Sequence, residues 1–246
     1  MNRPDSDRCP VCGVPVRIIR RSSGAADHYE PILAGDIEGE FPTQDPVIAQ
    51  KLRDLRKGKK TVVLLGGATT HCTLAPFNDD VEIWSCNEMH WCKWLARSTR
   101  WFQIHGTWDH NDLKRQKTNH IEWLKNSNIP IYMIRKEPLV PTSIAYPIKE
   151  VSKYFDNIRR GNNKIRYFTS SFAYMMGIAL LEGFERIELY GFDFSDDTEY
   201  AQQKGCAEWW IGYAMGKGIE IYEPENCQIM NSTMYGDADQ GKGWSE

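Results

Sequence analysis

The chain has 246 residues, 41% hydrophobic and 26% charged, with 30 Lys and Arg against 33 Asp and Glu and a net charge of -3. That is enough chain to bury one large core, and the composition excludes a disordered or fibrous protein. No global field draws such a chain to nucleic acid or an anionic membrane. The longest apolar runs, Thr61 to Leu65 and Ile178 to Leu181, are too short to cross a bilayer, and the polar start Met1 to Ser6 is unlike a secretory signal. Seven cysteines, only Cys9 and Cys12 of them closely spaced, argue against a disulfide framework and for a reducing, cytoplasmic setting.

In chain order, Cys9-Pro-Val-Cys12-Gly13 has the form of a zinc knuckle, two thiolates gripping one side of a tetrahedral Zn2+. His28 is the candidate third ligand and the fourth is unidentified. Residues 1–44 therefore read as a zinc-knuckle-like segment and linker, its second half broken by Gly24, Pro31, Gly35, Gly39 and Pro42. Asp45-Pro46 opens a helix with Val47, Ile48, Leu52 and Leu55 at helical spacing, closed by Gly58. Lys51, Arg53, Arg56, Lys57, Lys59 and Lys60 give this segment a basic face, either solvated or turned to nucleic acid.

From Lys60 the pattern alternates short strands with longer helical stretches. Strands are predicted at Thr61–Leu65, Val81–Cys86, Arg100–His105, Pro130–Ile134, Arg186–Phe194 and Gly218–Tyr222. Helices are predicted at Glu88–Ala96, Asn111–Asn126, Pro147–Arg160, Ser170–Glu182 and Glu199–Gly216. The fold class is α/β: a Rossmann-like, doubly wound, mostly parallel sheet in a catalytic domain spanning residues 45–230, with a polar tail at 231–246.

In such a sheet, ligands bind at the carboxyl ends of the strands, which directs attention to four loops. Gly66-Gly67-Ala68-Thr69-Thr70 follows the first strand, and its small residues admit a phosphate to the backbone N–H groups; a plain tight turn is the alternative. Asn87 ends the second strand, as a ligand to a base or ribose or as a helix cap. His105, Asp109 and His110 follow the third and form a candidate acid/base cluster, against a hydrogen-bonding and capping role. Thr169-Ser170-Ser171 opens a buried helix whose positive end favours an anion, Ser170 otherwise being a simple cap. Asp193, Asp196 and Asp197 offer carboxylates to a divalent cation such as Mg2+, or a solvated loop.

Four segments carry a resemblance: Val62-Val-Leu-Leu-Gly66, Ile83-Trp-Ser-Cys-Asn87, Thr169-Ser170-Ser171 leading to Ile187-Glu-Leu-Tyr-Gly191-Phe-Asp193-Phe194, and Lys217-Gly-Ile-Glu-Ile-Tyr222. In order and spacing they resemble the small bacterial sialyltransferases, a glycosyltransferase family, over roughly residues 60 to 225. They are also similar to Rossmann-like proteins that include archaeal pterin pyrophosphokinases, and to bacteriophage proteins with the same Arg-Trp-Phe and Thr-Ser-Ser segments. The resemblance implies a transferase using a nucleotide-sugar donor, with Gly66, Gly67, Asn87, Thr169 and Ser170 on the nucleotide. The family places its catalytic histidine in a lid after the Gly-x-Asp-Phe strand. Here no histidine follows His120, so His105, Asp109 and Asp193 stand as catalytic candidates. Two other readings stay open: metal-dependent pyrophosphoryl or nucleotidyl transfer, and a non-catalytic nucleotide- or DNA-binding protein. Nucleic acid is a conceivable acceptor.

Overall fold

The computed structural model describes residues 16–19, 28–31, 43, 45–69, 71–105, 119–194, 198–225, 227 and 229–230, with backbone alone at 16–19, 28–31 and 198–202. Strands β1 (Val16–Ile19) and β2 (His28–Pro31) pair antiparallel within the stretch expected to be knuckle and linker. Helix α1 (Pro46–Arg56) begins as its sequence dictates. Asp45 Oδ1 accepts from the Val47 and Ile48 amides at 3.1 and 3.3 Å, Pro46 sits where no amide partner is needed, and Ile48, Ala49 and Leu52 face the core.

The strands β3 (Thr61–Leu65), β4 (Glu82–Cys86) and β5 (Arg100–Gln103) follow, then helix α2 (His120–Asn126) and strands β6 (Ile131–Met133) and β7 (Ser143–Ala145). Helix α3 (Ile148–Val151) runs into a 3-10 turn at Ser152–Phe155 and a two-residue hairpin of β8 (Arg159–Arg160) and β9 (Asn163–Lys164). Helix α4 (Ser171–Leu181), strand β10 (Arg186–Tyr190), helix α5 (Thr198–Gly216) and strand β11 (Glu220–Tyr222) complete the fold.

Seven strands form one sheet in the order β11-β10-β3-β4-β5-β6-β7, each neighbouring pair parallel. The chain steps outward from β3 to β7 and then returns to lay β10 on the other side of β3. Its direction of winding therefore reverses between the carboxyl ends of β3 and β10, the switch point where ligands enter such sheets. Val62 to Leu65, Ile83, Trp84, Trp101 and Phe102 are buried, which is why these strands read as continuous apolar runs. Helix α4 packs on β3, β5, α3 and α5. Its eight buried residues surround it, so it is apolar without a wet face.

The parallel α/β architecture is as expected, with three local departures. Glu88–Ala96 forms only a 3-10 turn at Met89–Trp91 instead of a helix, its chain being held by the bonds of Asn87 and Trp101 described below. The helical spacing of Ile148, Val151 and Phe155 persists through α3 and the 3-10 turn, but the chain then reverses at Gly161, whose φ of 60° belongs to a turn. Strand β7 lies where no strand was predicted. The predicted helix at 111–126 is described only from His120 onward as α2.

At the amino end of the sheet lies a buried charge cluster. Arg100, the first residue of β5, places Nε 2.7 Å and Nη2 2.6 Å from the two carboxylate oxygens of Glu82, the first residue of β4. Its Nη1 reaches Glu182 Oε1 at 2.5 Å, and Trp84 Nε1 donates to Glu82 at 2.9 Å. Both Arg100 and Glu82 have fully buried side chains. Burial pushes the Glu182 carboxyl above its ordinary range, against the pull of Arg100.

Candidate functional site at the carboxyl edge of the sheet

The loop after β3 is held by main-chain bonds to β10. Gly66 N–H donates to the Tyr190 carbonyl at 2.8 Å and Ala68 N–H to the Gly191 carbonyl at 2.9 Å. Gly191 has φ 69°, and a methyl group on either Gly66 or Gly191 would overlap the other residue's backbone, so the two glycines permit the close approach. Gly67 is exposed, with open space beside its Cα. Beneath the loop, Cys72 Sγ meets the Ala68 carbonyl, and burial pushes this thiol up to about 11, which keeps it protonated at neutral pH.

Asn87 directly follows β4 in the left-handed region at φ 54°, a posture asparagine adopts more readily than other non-glycine residues. Its N–H donates to the Phe102 carbonyl at 3.0 Å and its carbonyl accepts from Trp101 Nε1 at 3.0 Å. With the main chain so fixed, the side chain turns across the sheet edge, where Oδ1 accepts from Ser171 Oγ at 3.3 Å. The adjacent 3-10 turn has Glu88 at its start and no side-chain cap, so the capping alternative for Asn87 is not realised.

Ser170 precedes the first turn of α4 in extended backbone, at φ -154° and ψ 163°, and its side chain makes no capping bond. The Ser170 Oγ is buried and has no hydrogen-bond partner. Buried hydroxyls are nearly always paired, and this one lies at the positive end of a helix dipole. Thr169, beside it, is exposed.

Asp193 is half-buried between buried Phe192 and Phe194. Phe172, in the first turn of α4, packs edge-on against the Phe192 ring at 4.8 Å and against Phe194 at 6.1 Å. The segment after β10 is thereby pinned to the start of α4. His105 is exposed beyond buried Ile104 at the end of β5. The carboxyl edge thus brings together the Gly66 loop, Asn87, the Thr169-Ser170-Ser171 turn and the Asp193 segment, with His105 further along.

Asp109, Asp196, Asp197, Cys9 and Cys12 lie outside the described residues, as does the His28 side chain. Among the described residues no group of three His, Cys, Asp or Glu side chains is placed to hold a metal ion. Of the basic segment, Arg56 is used internally. Its guanidinium lies 4.0 Å from the centroid of the Phe184 ring and donates to the Glu182 and Gly183 carbonyls, while Lys51 binds the Asn128 carbonyl.

Two features of the edge escaped the sequence reading. One is the close approach made by Gly191, which the reading placed within a strand Arg186–Phe194, whereas the strand ends at Tyr190 and Gly191 turns at φ 69°. The other is a ring stack: His90 lies parallel to His120 at 5.1 Å and to Trp123 at 4.7 Å, and His120 Nε2 pairs with Gln103 Oε1 at 2.9 Å. Trp101, 4.4 Å from Trp123, links this stack to the Asn87 carbonyl. No local pattern announces it, because its members come from three separate elements.

No protein-family model and no curated protein matches the chain. Among solved structures, it is similar to the apo α-2,3-sialyltransferase of Campylobacter jejuni, at 13% identity and TM-score 0.43 over 68% of this chain and 76% of that one. It is also similar to the Campylobacter jejuni sialyltransferase CstII in complex with cytidine-5'-monophosphate, at 15% identity and TM-score 0.41, covering 67% and 79%. The CstII complex with CMP-3FNeuAc gives 14% and 0.42, covering 66% and 79%.

Proposed function

We propose that the protein is a glycosyltransferase that binds its nucleotide-sugar donor at the carboxyl edge of the sheet. The observation that carries the nucleotide half of this reading is the Asn87–Ser171 contact beside the unpartnered, buried Ser170 Oγ at the start of α4. Asn87 has amide chemistry suited to a base or ribose, and Ser170 with the helix dipole suits the phosphate. Gly67 leaves room for the ligand's approach, and Thr169 lies at the rim. The sugar-transfer half rests on the sequence resemblance of the strand-edge segments.

In this reading a base removes the proton of the acceptor hydroxyl as its oxygen attacks the anomeric carbon and the bond to the donor phosphate breaks. Charge on the departing phosphate is met by Ser170 Oγ and the α4 dipole. Asp193 follows β10 and His105 follows β5, three strand spacings apart or roughly 14 Å. One of them, rather than both, faces the acceptor; Asp109 is the third candidate. Residues 45–230 form the catalytic unit, and Cys9, Cys12 and His28 are the proposed zinc ligands of a structural appendage.

Calorimetric titration with CMP, UMP and GMP tests the reading. One of them is expected to bind, and Asn87→Ala to weaken it about tenfold by removing a polar contact. Absence of binding by every nucleotide and nucleotide sugar at millimolar concentration would overturn it.

A further inference from the structure

A second cluster of polar groups lies between the β8–β9 hairpin and the turn after α3. Six of the 30 Lys and Arg fall between Lys149 and Arg166, against two carboxylates, Glu150 and Asp156, in a chain whose net charge is -3. The fold concentrates them further. In the β8–β9 hairpin Arg159 stands directly opposite Lys164, and like charges in facing positions destabilise a strand pair. Asp156 serves both cations: its carboxylate takes Lys164 Nζ at 2.6 Å and its carbonyl accepts from Arg159 Nη1. The Lys164 bond holds the Asp156 carboxyl below its ordinary range, so it stays ionised.

Between this hairpin and the turn after α3 opens a cleft of about 160 Å³, lined by Lys149, Ser152, Phe155, Asp156, Lys164, Ile165 and Arg166. That is space for a group well beyond one water molecule. Lys149 comes from α3, Lys164 from β9 and Arg166 from the strand's exit, so three cations converge from different elements. Ser152 Oγ, in the cleft wall, is buried and has no hydrogen-bond partner. A buried hydroxyl in want of an acceptor, in the wall of a cleft that Lys149, Lys164 and Arg166 also line, suits a compact oxyanion.

We propose that this cleft binds a phosphate group, with Lys149 and Lys164 supplying charge and Ser152 Oγ donating a hydrogen bond. The group can arrive as free phosphate or as a phosphodiester of nucleic acid. Both offer the same tetrahedral oxygens.

The experiment is calorimetric titration of the full chain at low ionic strength with orthophosphate, and in parallel with a short oligothymidylate. Lys149→Gln combined with Lys164→Gln is expected to weaken binding about tenfold, and Ser152→Ala to weaken it too. Asp156→Asn is expected to tighten it by removing the competing carboxylate, a gain that damage to the fold would not produce. Orthophosphate binding with this pattern identifies a single-anion site; the pattern with the oligonucleotide at lower concentration identifies a phosphodiester site. Binding lost in Asn87→Ala but untouched by the cleft variants would assign the anion to the nucleotide edge and overturn the proposal. So would the absence of any binding. The cleft variants leave Asn87 and Ser170 unchanged, so nucleotide titration of the same variants lets the two readings fail separately.

Discussion

A methyl group on Gly66 would overlap the Gly191 carbonyl oxygen and the Phe192 ring, whereas one on Gly67 would meet nothing within 4 Å. In the proposed reading the two neighbours therefore separate packing from ligand approach. Gly66→Ala is expected to cost about 1–3 kcal/mol, as forced insertions into packed sites do, and to lower the midpoint of urea unfolding. Gly67→Ala is expected to leave that midpoint in place while weakening nucleotide binding in the same calorimetric titration. Equal effects from both substitutions would mean that the loop serves the fold alone. Asn87 shows a similar division within one residue: its main chain is spent on Phe102 and Trp101, while its side chain accepts from Ser171 at the proposed site.

The ring stack formed by the turn at Met89–Trp91 and α2 gives a prediction about pH. Burial lowers the pKa of His90 below its ordinary 6.5, with Glu88 opposing, so the folded chain binds that proton less readily than the unfolded chain. Its neutral form is the one the stack accepts. Stability is then undiminished above the unfolded pKa and falls as pH drops through about 6.5 and below. Melting temperatures taken between about pH 7.5 and 5.5 should decline for the wild type and decline less for His90→Phe, which keeps an aromatic ring and removes the titrating group. Elements of this kind divide by how much of their cause is local. The β-branched run at Thr61–Leu65, the Asp45 cap and the apolar length of Ser171–Leu181 carry their own signals, and the sequence reading found all three. Strand β7 has only three residues and takes its place from the register with β6, as Tyr132 opposite Ile144 illustrates. Among the proposed site residues, the places of Asn87 and Ser170 were legible because one follows a strand and the other precedes a helix. The contact between Asn87 and Ser171 was not, since it joins residues 84 positions apart.

For the molecule as a whole, the Arg100 cluster anchors the end of the sheet remote from the proposed nucleotide site. Removing its cation leaves two buried carboxylates without compensation, so Arg100→Met is expected to cost about 3–5 kcal/mol in chemical denaturation. Replacing Glu82, Arg100 and Glu182 together by apolar residues of similar size should recover much of that loss, because none of the cluster's charges then remains buried. A triple variant no more stable than Arg100→Met would mean that the polar bonds to Trp84 and Tyr132 matter more than the charges.

Strand β10 reaches β3 only after the chain has travelled out to β7 and back, and Lys60 pairs with Glu185, 125 positions further along the chain. Until that return is complete, β3 has one free flank and the Gly66 turn has nothing to lean against. Such distant pairing is entropically late in folding. A nascent chain emerging from the ribosome would thus carry an unfinished edge until Arg186–Tyr190 had been made, and capture of the proposed ligand would report that the last seam had closed.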